Sequence, residues 1–170
     1  MNRIKGQILN EALIAIGVMT VGVLGMTGFL SRSISEGRYI ADQTTAVNLA
    51  AEGIEIAKNI LDGNALSGDG AWNKDFNIEG FFEVDYKSAG LGDSVGETEN
   101  QNVLKTLKKE QVGDAEFYSY SGAIGTTFKR SVQIDYVTSY QIRATARVYW
   151  TAKSGRLNNV SLSSDFYYWR

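Results

Sequence analysis

The 170-residue chain contains no cysteine, no histidine and no proline. Without cysteine it can form neither a disulfide nor a thiolate metal site, so the core alone must hold the fold. Without histidine it lacks the commonest general base near neutral pH and the commonest metal ligand. Without proline, every turn rests on Gly, Asn, Asp or Ser. The formal net charge of −2 supplies no basic field for phosphate contacts, so nucleic acid is not indicated as a partner. A GxxxxGK[ST] phosphate loop is also missing. An enzyme is therefore the weakest functional class, with no catalytic residue, cofactor or metal assigned. What remains is ordinary for a folded chain: 44% hydrophobic and 21% charged residues.

The first thirty residues are the most informative. Met1 to Gly6 is short and basic through Arg3 and Lys5, and Ala12 to Leu30 then runs nineteen positions without a charge. At about 1.5 Å per helical residue that run spans about 28 Å, close to the hydrocarbon core of a bilayer. It is longer than the apolar part of a secretory signal peptide and leads into further helical periodicity. A transmembrane helix at 12–30 is expected, with Arg32 closing it. Glu11 stands immediately before the run. A carboxylate there is either a headgroup-level residue of a plain anchor or a functional group.

Beyond Ser31 the chain turns polar but keeps a helical stripe. Ile40, Val47, Ile54 and Leu61 recur every seven residues, with Ala50 and Ala57 three after the middle pair. One continuous helix over 7–61 is expected, ended by Asp62-Gly63-Asn64 with Gly63 as its left-handed cap. Gly17, Gly22, Gly25 and Gly28 inside the apolar run suit close helix packing or local unwinding. Asp62, Asn64 and Asp69 fail the spacing of a calcium loop. A strand is expected at Phe81 to Lys87, a surface excursion with a short helix at Asn102 to Glu110, and strands at Phe117 to Tyr120, Phe128 to Tyr136, Tyr140 to Trp150 and Asn159 to Trp169. Strands following one long helix imply an α+β fold, with an antiparallel sheet in a globular head over 62–170. Tyr118, Tyr120, Tyr136, Tyr140, Tyr167, Tyr168 and Trp169 are expected to fill the sheet core rather than form an adhesive surface.

The basic leader, Gly6, Glu11 and the long apolar helix together resemble the prepilin signature of type IV pilins. "LAAEGIEIAKNI" at Leu49 to Ile60 resembles the stalk of PilV-type minor pilins and type II secretion pseudopilins, and "FKRSVQI" at Phe128 to Ile134 resembles their sheet. The resemblance implies a leader at 1–6, cut between Gly6 and Gln7 by a prepilin peptidase that commonly methylates the new terminus. The family usually has Phe after the cut; here it is Gln7. The resemblance also implies that Glu11 serves filament assembly, by pairing with the new amine of a neighbouring subunit. Other pilin subunits, the assembly machinery and membrane lipid would then be the partners. The precursor would be single-pass in the cytoplasmic membrane with its head outside the cytoplasm, and the mature form would belong to an extracellular or periplasmic filament. Three readings stay open: a pilus subunit serving adhesion, motility or DNA uptake, a pseudopilin, or a single-pass protein with an extracytoplasmic binding domain.

Overall fold

The computed structural model describes residues 3–67, 71–74, 76, 78–92, 94–96 and 99–168, with side chains in the helix from Gln7 onward. The fold is α+β. One helix, α1 (Arg3–Ser67), is followed by seven strands in one antiparallel sheet: β1 (Gly80–Phe82), β2 (Ser94–Gly96), β3 (Thr106–Val112), β4 (Ala115–Ser119), β5 (Ile124–Thr138), β6 (Gln141–Thr151) and β7 (Leu157–Tyr167). Two compact units divide the chain, Met1–Ala41 and Asp42–Arg170.

The helix does not stop at Asp62-Gly63-Asn64; it runs on to Ser67. Nothing in that triplet forbids helix, since a glycine costs only about 1 kcal/mol and no proline follows. Gly63 has no left-handed φ. Asn64 instead ties the helix end down, its Nδ2 donating to the Lys74 carbonyl at 2.7 Å.

In the second unit the buried face of α1 is made by Ala46, Leu49, Ala50, Gly53, Ile56, Ala57, Ile60 and Leu61. The expected heptad is thus offset. Ile40 is exposed, Val47 and Ile54 are half-buried flanks, and the centre of the stripe is small. Small residues let the helix backbone come close to the sheet. A Cβ on Gly53 would meet Ala146 Cβ at 3.2 Å and Val132 Cγ2 at 3.3 Å.

The sheet is built around β5. Lys129 pairs with Thr106 on one side and Tyr149 on the other, while Val132 pairs with Phe82 and Ala146. So β3 and β1 lie end to end along one edge of β5, and β6 takes the other. On β6, Ile142, Ala144, Ala146, Val148 and Trp150 alternate inward as their pattern requires, all buried. Each large apolar side chain so covered contributes about 1.5–3 kcal/mol. Gly155 takes a left-handed φ of 80° in the turn before β7. Eleven consecutive pairs then join β6 to β7, from Gln141↔Tyr167 to Thr151↔Leu157.

Two local expectations fail. The strand expected at Phe81 to Lys87 is only Gly80–Phe82. The chain bends away where the buried Asp85 carboxylate accepts the Lys87 amide and the Ser88 hydroxyl. The helix expected at Asn102 to Glu110 is replaced by β3, whose Gly113-Asp114 turn into β4 puts Gly113 at φ 64°.

Candidate functional site

In the first unit, α1 is long and apolar enough to cross a membrane. From Ile8 to Leu30 its large apolar side chains are all exposed, from 54% at Val23 to 77% at Phe29, so none of the described residues covers them. Thr20 and Thr27 return their hydroxyls to the Ile16 and Val23 carbonyls, at 2.7 Å and 3.1 Å. They therefore bring no unsatisfied donor into the apolar segment. A Cβ on Gly17, Gly22, Gly25 or Gly28 would meet nothing within 4 Å, so no contact among the described residues requires those positions to be small.

Glu11 lies at the start of this surface. It shares a shallow depression with Gln7, Asn10, Ile14 and Ala15, positions three and four apart on one helical face. Gln7 and Glu11 are thus one turn apart, about 6 Å along the axis. For Arg3 to Gly6 only the helical backbone is described; their side chains, with Met1 and Asn2, lie outside the described residues.

In the second unit a charged side chain, Arg130, is fully buried. Its Nη1 donates to the Leu49 carbonyl of α1 at 2.9 Å and its Nη2 to the Val84 carbonyl at 2.5 Å. Nη1 also lies 3.4 Å from Glu52 Oε2, while Nε has no partner among the described residues. One guanidinium thus ties the helix to the sheet and to the chain leaving β1. Period-two alternation carried the signal: Phe128, Arg130, Val132 and Ile134 fall on one face of β5, which sequence reasoning did not follow to its buried arginine. Tyr120, beside it, has its phenol pushed well above the ordinary tyrosine value by burial.

A half-open cleft of about 470 Å³ lies between the last turns of α1 and the end of β7. Lys58, Asp62 and Leu66 line it from the helix, and Trp72, Asp165 and Tyr168 from the other side. Trp72 and Tyr168 stack at 5.5 Å between centroids with 19° between planes. Arg143 grips Asp165 with two hydrogen bonds, at 2.7 Å and 3.0 Å, and holds that carboxyl below its ordinary value. Asp165 in turn raises the Arg143 guanidinium.

The expectation that the aromatics fill the core is corrected in part. Tyr118 and Tyr120 pack against it, but Tyr136, Tyr140, Tyr167 and Tyr168 are 38–58% exposed. They lie at the β5–β6 turn and the end of β7. Trp169 and Asp69 lie outside the described residues, and Asp62 and Asn64 belong to α1 rather than to a loop. No known protein family matches the chain, and no curated protein or solved structure matches it.

Proposed function

We propose that the chain is the precursor of a type IV pilin-like filament subunit, with a minor pilin as the leading form. A pseudopilin of a secretion machine is the close variant. One observation carries the reading: a single helix holds both Glu11 beside a fully exposed apolar segment and, downstream, a small-residue stripe packed on an antiparallel sheet. In this reading cleavage between Gly6 and Gln7 frees an amine one helical turn from Glu11. The Glu11 of one subunit then meets the amine of its neighbour, so that neither charge is buried alone. The work done is assembly, and no catalysis is assigned. The head lies outside the cytoplasm.

The experiment compares membrane and sheared fractions for wild type, Glu11→Val and Glu11→Asp. In a plain single-pass anchor, Glu11→Val removes a desolvation cost and leaves the protein's behaviour intact. In a filament subunit it gives cleaved protein that stays in the membrane and is missing from the sheared fraction. Glu11→Asp, one methylene shorter, is intermediate. Normal Glu11→Val content in the filaments would overturn the pairing.

A further inference from the structure

We propose that the cleft at the end of α1 binds a neutral carbohydrate, of about disaccharide size, between Trp72 and the helix. This inference stands on the head alone and does not depend on the filament reading.

The cleft is preformed. The Trp72 indole Nε1 donates to the Ser139 carbonyl at 3.3 Å, and the Tyr168 amide donates to the Tyr140 carbonyl at 2.9 Å. The Trp72 ring and the Tyr168 backbone are therefore anchored to the same β5–β6 turn. Asp165 is fixed by Arg143. The opposite wall is a single helical face, with Lys58 and Asp62 one turn apart and Leu66 one turn further. A site so held loses little freedom when a ligand enters. Its volume falls within the range of small-ligand pockets.

Trp72 and Phe166 pack against the core on one side, but the residues beside them stay in water. Leu66 is 75% exposed, Tyr167 47% and Tyr168 43%. Large apolar surface left in water beside convergent polar groups is what a ligand site requires.

The charges select the ligand. Lys58 only donates hydrogen bonds; Asp62 and Asp165 only accept them. A sugar hydroxyl does both, so one polyol satisfies the whole rim, while its C–H faces lie against the rings. Lys58 offsets Asp62 in charge, and Asp165 is already offset by Arg143. A strongly cationic or anionic ligand would meet a like charge in this cleft; a neutral one meets none. Charge balance thus favours a neutral glycan over a basic peptide or a phosphorylated headgroup.

The test uses the full chain in a detergent whose headgroup is not a sugar. Maltose, lactose, cellobiose and N,N′-diacetylchitobiose are titrated while saturation-transfer NMR and tryptophan fluorescence are read, and a printed glycan array extends the panel. At least one glycan should receive saturation from the protein. Lys58→Met and Asp62→Asn, at exposed helix positions that leave the fold intact, should each weaken its binding by about 10-fold. Trp72→Ala should abolish it, while Tyr86→Ala, distant in the fold, should not change it. Should Trp72→Ala fail to fold, the two helix variants decide alone. Silence across solution probes and array overturns the proposal, as does unchanged affinity in both helix variants. Binding of tetramethylammonium or a lysine-rich peptide in place of every sugar overturns it as well.

Discussion

A Cβ placed on Gly53 would lie 3.1 Å from Cδ of Arg130, so the helix backbone and a buried guanidinium stem meet with no room for a methyl group. Propensity and packing oppose each other here. Alanine is the better helix former by about 1 kcal/mol, but overpacking a filled core costs about 1–3 kcal/mol. Packing wins at Gly53, because Ala146 and Val132 close the remaining sides. Gly53→Ala should lower Tm by several degrees. At Gly63, where a Cβ would meet nothing within 4 Å, the same change should raise stability by up to about 1 kcal/mol. Thermal melts of the two variants should therefore move in opposite directions.

Arg130→Met should destabilise the head by about 3 kcal/mol. The methionine fills similar volume but leaves the Leu49 and Val84 carbonyls without their donor. Glu52→Gln should cost less than about 1 kcal/mol, because Glu52 stands 3.4 Å away and keeps a third of its side chain in water. Urea midpoints for the two variants, at unchanged m-value, provide the comparison. Equal losses would mean that the ion pair, not the carbonyl contacts, gives Arg130 its weight.

The Lys87–Glu110 pair sets a pH signature. Lys87 Nζ donates to both Glu110 oxygens, at 2.7 Å and 2.8 Å, and Ser119 adds a third hydrogen bond at 2.6 Å. Those bonds, Lys87 first, hold the Glu110 carboxyl below its ordinary 4.5 and raise Lys87 above 10.5. A carboxyl lowered on folding stabilises the fold above its unfolded value and loses that contribution as pH falls through its folded value; the raised lysine loses its share only in alkali. The Tm gap between wild type and Glu110→Gln should thus be level from neutral pH down to about 4.5, then close in stronger acid. A gap that widens on acidification would contradict the pairing.

In the pilin-like reading, Gly6→Leu should accumulate as uncut membrane precursor, since a side chain there crowds the peptidase subsite. N-terminal sequencing of the wild-type protein should begin at Gln7. Any other start removes the cleavage assignment.

The parts of this fold that were legible are those in which one residue's surroundings are set by its near neighbours. The apolar run before Leu30 and the inward alternation of Ile142 to Trp150 needed only period and length. β3 was hidden because Leu104, Lys105, Leu107, Lys108 and Glu110 favour helix locally. Pairing with β4 and β5 overrides that preference, and Leu107 is the only β3 side chain fully buried. The stripe on α1 was found but misplaced, since hydropathy weights Ile40 and Val47 above the alanines and glycine that actually touch the sheet. Of the candidate sites, Glu11 was legible from its position beside the run. The cleft was not, because it needs six helical residues past the expected stop and a tryptophan from a segment without periodicity.

The helix-to-sheet contact also has a schedule. Arg130 and the Leu49 carbonyl it binds are separated by 81 residues. At about 5–20 residues per second of synthesis, the face of α1 waits about 4–16 s for the strands that cover it. Throughout that interval it must neither aggregate nor bind the wrong partner. Its centre, at Ala46, Ala50, Gly53 and Ala57, is small and packs closely once the sheet arrives, while Leu49, Ile56, Ile60 and Leu61 around it are the apolar area left waiting. The small side chains that bring the helix near Arg130 thus keep the centre of that waiting face lean, and its large residues are the part that must wait for the strands.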